Sequence, residues 1–114
     1  MVAKRRRREP VATVDYTDPE GNVLTLRREL SRATIRKIEA KSVKAGGSAE
    51  DAWQRRAEML FERLAVSWEV AGLPLSDQAL LLGRYRMATS DERRWVRQTI
   101  ATHLERFIPE LAER

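Results

Sequence analysis

The chain has 114 residues, 42% hydrophobic and 34% charged, with no cysteine and one histidine. That is room for one domain with a modest core, and it excludes disulfides, thiol nucleophiles and cysteine-based zinc sites. The formal charge of +5 sits largely in Lys4, Arg5, Arg6, Arg7 and Arg8; beyond Glu9 the charges nearly balance, so the body lacks the broad basic character of a nucleic-acid-binding domain.

Residues 1–10 read as a disordered basic arm, because adjacent like charges repel and no apolar residue docks them. Residues 11–27 read as a β-hairpin. Val14 and Tyr16 alternate with Thr13, Asp15 and Thr17, the period of a half-buried strand. Asp18-Pro19-Glu20-Gly21 carries type I turn residues, with Gly21 free to take positive φ in a bulge. Leu24 and Leu26 share one face of the return strand. A lone hairpin is marginal in water and needs helices or another strand beside it.

Ser31 is the expected N-cap of a basic helix over 32–44, with Leu30 and Ile35 at hydrophobic-staple spacing and Ile35, Ile38 and Val43 as its apolar face. Gly46-Gly47 ends it. Ser48 is the expected cap of the main helix, 49–71. Along it Trp53, Ala57, Leu60, Phe61, Leu64, Trp68 and Ala71 recur at steps of three and four, a broad apolar stripe, and Gly72 and Pro74 close it. Ser76 caps a short helix over 77–86. Thr89 and Glu92 have capping-box spacing for a final helix over 90–107, bearing Trp95, Val96, Ile100, Leu104 and Phe107, and Pro109 closes it. The expected architecture is α+β and mainly α: an N-terminal β-hairpin followed by a small bundle of three to four helices. It forms one domain over 11–108, with 109–114 as a C-terminal tail.

No residue pattern points to catalysis, a metal or a cofactor, and an enzyme is not expected. His103 has no Ser/Asp or second His at helical spacing and reads as a helix-flank histidine. The carboxylates alternate with Arg and Lys as on a solvated helix surface. Gly46-Gly47 does not lead to the Lys-Ser/Thr of a phosphate loop. Arg93 and Arg94 could head the second helix of a helix-turn-helix, but Asp91 and Glu92 at the same end would repel phosphate. Lys4–Arg8 could contact nucleic acid or an acidic partner, although without interleaved aromatics the arm has no means of reading sequence. No apolar run approaches the ~20 residues of a membrane span and no apolar segment follows the basic start as in a secretory signal. A soluble cytoplasmic protein without membrane contact is the expectation.

The order of features resembles a known family. A hairpin leads through Arg28-Glu29-Leu30 into a helix beginning Ser31-Arg32-Ala33-Thr34. A Gly-containing linker follows, then a helix ending in Leu64-Ala65-Val66-Ser67-Trp68, then the turn Gly72-Leu73-Pro74-Leu75-Ser76 and further helix. Over residues 12–108 this is similar to the tail assembly chaperones of long-tailed actinobacterial bacteriophages. The resemblance implies a non-enzymatic protein of the host cytoplasm that coats the tape measure protein and recruits the tail tube protein, with homo-oligomerisation left open. Client binding is expected along an apolar groove bordered by Trp53, Leu60, Trp68 and Leu73. The alternatives are a small nucleic-acid-binding protein using the basic arm and a structural connector or tail-completion subunit whose hairpin joins a ring-wide sheet.

Overall fold

The computed structural model describes residues 12–44 and 49–112. Its first elements are strands β1 (Thr13–Thr17) and β2 (Val23–Arg27), paired antiparallel with Val14 opposite Leu26 and Tyr16 opposite Leu24. The expected turn forms. Gly21 N–H donates to the Asp18 carbonyl at 3.0 Å, and Gly21 takes φ of 89°, which glycine adopts without steric cost. Asp18 Oδ1 also accepts the backbone N–H groups of Glu20 and Asn22. Helix α1 (Arg32–Lys44) follows, and Ser31 Oγ accepts the N–H of Thr34 as an N-cap should. The expected break at Gly46-Gly47 and the cap at Ser48 lie outside the described residues, as do the side chains of Val43 and Glu50.

Helix α2 (Ala49–Leu64) then departs from the sequence reading. It stops at Leu64, and Ala65–Val70 is a strand, β3, directly continued from the helix. Leu73–Leu75 is a second strand, β4. The four strands form one antiparallel sheet in the order β1-β2-β3-β4. The expected bundle on a separate hairpin is therefore corrected to a four-stranded sheet with α1 and α2 inserted between its second and third strands. Two physical reasons stand out. Val66, Trp68 and Val70 alternate with Ser67 and Glu69, and β-branched and aromatic residues favour the pleated surface. The hairpin β1–β2 also needed another strand, and β3 supplies it from within the same chain.

A register shift near Leu26 lets both Ala65 and Trp68 turn to the core: Leu24 faces Trp68 and Leu26 faces Ala65, leaving Val66 as the extra residue of a bulge. The β3–β4 turn is Ala71-Gly72, with φ of 53° and 80°, the two positive values of a type I′ hairpin turn. Alanine in that left-handed region costs about 1 kcal/mol. The Ala71 N–H donates to Asn22 Oδ1 at 3.0 Å, while Asn22 Nδ2 donates to Asp18 Oδ2, so one buried asparagine ties the two hairpin turns together. Pro74, at the middle of β4, faces Glu69. That position follows the narrow pair Val70–Leu73, so an N–H there would point to the open edge, and proline has none.

Helix α3 (Gln78–Arg86) is capped by Asp77, not by Ser76, through its Oδ1 and the N–H groups of Ala79 and Leu80. Gln78 Nε2 donates to the Glu62 carbonyl at 2.7 Å, which covers one of the free carbonyls at the end of α2. Helix α4 (Ser90–Phe107) carries the full capping box between Thr89 and Glu92. Its end passes into a 3-10 turn, Pro109–Leu111, which buries Ile108 and Leu111.

The helices cover one face of the sheet. The core joins Leu24, Leu26, Ala65 and Trp68 of the sheet to Ile35 and Ile38 of α1, Leu60, Phe61 and Leu64 of α2, Leu81 and Tyr85 of α3, and Val96, Ile100 and Leu104 of α4. Phe61 is central: it stacks on Tyr85 at 4.9 Å and meets Trp68 edge-on at 5.8 Å, both favourable aromatic geometries. The other sheet face carries Thr13, Asp15, Thr25, Ser67 and Glu69, the alternation expected of a sheet with one wet side.

Candidate functional site

The stripe read as one binding ridge is divided between two elements, and the four residues expected to border one groove are not brought together. Trp68 lies on β3, 2% exposed. Its indole N–H is buried with no acceptor among the described residues, and the Arg84 guanidinium lies 5.0 Å from its ring centre. Leu73, 74% exposed, sits at the start of the edge strand β4. Trp53 and Leu60 share a face of α2, and they line an open groove against α4 with a volume of about 360 Å³.

Helix periodicity builds this groove. Ala57 and Leu60 follow Trp53 at steps of four and three on α2. Ile100 and Leu104 present the facing row on α4, and buried Leu60, Ile100 and Leu104 form its floor. The walls are different. Trp53 is 45% exposed, with Arg97 over its ring at 4.5 Å, a cation–π contact between the two helices. Arg56 and Arg94 complete the margin. Arg56 Nη2 donates to the Leu111 carbonyl, and Arg94 pairs with Asp91 at 3.1 Å on the exposed side of α4. The groove therefore has an apolar floor and a cationic margin, and no carboxylate is among its lining residues. It can hold apolar side chains.

A second recess, about 470 Å³, lies where β2, the start of α1 and the end of α2 meet. It mixes Arg27 and Arg63 with Glu29 and Glu62, so no single charge dominates it. Arg93, considered above for base contact, turns its guanidinium to the Ala88 carbonyl at the end of α3.

His103 is not on a helix flank. It is completely buried between α4 and the β1–β2 hairpin. Its Nε2 lies 2.8 Å from the Arg27 carbonyl and its Nδ1 lies 2.7 Å from the Tyr16 hydroxyl. A carbonyl only accepts, so Nε2 carries the proton and Nδ1 accepts from Tyr16. Burial, with Arg106 nearby, holds the imidazole pKa below its ordinary value, against the opposing pull of the Arg27 and Arg28 backbone. Burial also raises the Tyr16 hydroxyl. The sequence signal was the spacing Val96-Ile100-His103-Phe107, which places His103 in the apolar stripe. The arginine margin had a weaker signal, because Arg94 and Arg97 lie among many surface arginines.

Lys4, Arg5, Arg6, Arg7 and Arg8 lie outside the described residues. Among the described residues, no group of three or more His, Asp or Glu is placed to hold a metal ion, and no helix is long and apolar enough to cross a membrane. Comparison of the chain with protein-family models, with curated proteins and with solved structures finds no match.

Proposed function

We propose that the protein is a non-enzymatic assembly chaperone of a long-tailed bacteriophage, one that holds an amphipathic segment of the tape measure protein in the α2/α4 groove until tail tube protein takes its place. The observation that supports this reading is the half-exposed indole of Trp53 beside an apolar floor, on a molecule whose other large aromatic side chains are mostly drawn into the core. Apolar contact contributes about 25 cal/mol per Å². Much of it is offset by the lost freedom of both partners, so a short groove gives a hold that the next subunit can displace. The client is taken from the resemblance of the sequence motifs between Arg28 and Ser76 to those of the phage chaperones.

Co-expression with the tape measure protein of the same phage tests the reading. The soluble fraction of that long helical protein should rise, and Trp53→Glu should abolish the gain while leaving the chaperone folded. A tape measure protein equally insoluble with and without the chain would refute it.

A second reading, nucleic-acid binding through residues 1–9, draws support from one observation. Arg32, Arg36, Lys37 and Lys41 are all exposed on α1, a cationic row that could continue the contact of the arm. Binding to duplex DNA that weakens steeply with salt and disappears when residues 2–9 are removed would favour it.

A further inference from the structure

We infer that the α2/α4 groove is built for a helix with an acidic flank, so that the client segment carries Asp or Glu beside its apolar face. This rests on the groove reading above and adds the charge of the occupant.

Three cations border the groove, Arg56 from one wall and Arg94 and Arg97 from the other, with no carboxylate among the lining residues. Arg94 and Arg97 stand one turn apart on α4, and both line the groove. The present partner of Arg94 is Asp91, in a pair whose side chains are 61% and 90% exposed, and such a pair is weak enough to exchange for an incoming carboxylate. The Arg97 guanidinium carbon lies over the Trp53 ring, 4.5 Å from its centre. A cation–π contact leaves the guanidinium its charge, and its planar fork of N–H donors matches a carboxylate. Arg56 is tethered by the Leu111 carbonyl, which fixes a cation at the opposite wall before any partner arrives.

Length agrees with a helix. From Arg94 to Leu104 the α4 wall runs about 15 Å, close to three helical turns. An occupant of that length would present apolar residues at i, i+3, i+4 and i+7 to the floor and its flanking residues to the arginines. The same charges disfavour the Lys4–Arg8 arm as the occupant.

The test uses the full chain and fluorescently labelled synthetic helices about three turns long. One carries Leu and Phe at those positions with Glu on both flanks, the other the same apolar residues with Lys flanks. Fluorescence anisotropy should show the Glu-flanked peptide binding about tenfold more tightly, with the gap narrowing as salt rises. The double variant Arg94→Glu and Arg97→Glu, checked for an unchanged circular dichroism spectrum, should reverse the order and bind the Lys-flanked peptide better. Equal binding of both peptides, still lost in Trp53→Glu, overturns the acidic flank and leaves the groove reading intact. Binding of neither peptide overturns both. Self-association abolished by Trp53→Glu overturns the inference in favour of a second copy of the chain. Tighter binding of the Lys-flanked peptide after removal of residues 2–11 overturns it in favour of the arm.

Discussion

Trp53 and Trp68 have the same side chain and the same kind of cover, an arginine over the ring, but opposite surroundings. Around Trp68 the sheet and α3 close completely. Phe61 meets its edge, and its N–H has no acceptor among the described residues. Around Trp53 the two helices stay apart and the indole remains half in water. The first region spends its apolar surface on folding; the second leaves part of it in water. What separates them is the change from helix to strand at Leu64–Ala65, which sends one indole under the sheet and leaves the other between helices.

The largest effect should come from breaking that contrast at Trp68. Trp68→Ala should lower stability by about 3–5 kcal/mol, the usual cost of emptying a large buried aromatic site. Trp53→Ala should cost less than about 1 kcal/mol and show its effect in partner binding. Chemical denaturation of the two variants side by side measures the difference, and similar losses would erase the distinction between the regions.

Next is the asparagine that joins the hairpin turns. Asn22→Ala removes the contacts to Asp18 and to the Ala71 N–H and should cost about 1–3 kcal/mol, since buried polar partners lose their match. Hydrogen exchange should accelerate in both turns together. Faster exchange in the first turn alone would show that they are not coupled.

The His103 bridge between α4 and the hairpin sets a pH dependence. Its folded pKa lies below the ordinary value of about 6.5, so the unfolded chain takes up the proton first. Stability is full above that value and declines as pH falls below it. Thermal midpoints measured from pH 7.5 downward should drop through this window. His103→Gln, less stable at neutral pH, should show a flatter profile there. An unchanged acid slope in the variant would assign the dependence to other groups.

The smallest effect is a gain. Ala71→Asn places the preferred Asn-Gly pair in the type I′ turn and relieves the alanine of its left-handed conformation. It should stabilise by about 0.5–1 kcal/mol, read as a rise of a few degrees in midpoint. A fall would mean that the new side chain disturbs the Asn22 clamp.

The sequence was legible where a single period or a clear cap decided the matter, though at α3 two adjacent candidates competed and Asp77, not Ser76, took the cap. The Asp18–Gly21 turn, the Thr89–Glu92 box and the staple-spaced start at Ser31 all involve neighbours in the chain. Residues 65–71 were not legible in this way, because Leu64, Trp68 and Ala71 fit a helical stripe while Val66, Trp68 and Val70 fit a strand. The deciding partner, β2, is far away in sequence, and tertiary pairing overrode the local pattern. The division of the candidate site has the same origin: once β3 forms, Trp68 and Leu73 belong to the sheet, and the groove is left to Trp53, Leu60 and the arginines of α4.

Pro74 has a consequence for assembly. A closed ring in which each subunit extends its neighbour's sheet needs two dissimilar free edges, one offered and one accepting. Here the β4 border lacks its outward amide, and the strand is three residues long. Among the described strands only β1 offers an uninterrupted border, through Thr13, Asp15 and Thr17. Strand-to-strand joining between copies is thus favoured at β1, like edge against like in a two-fold pair, over the continuous sheet of a collar.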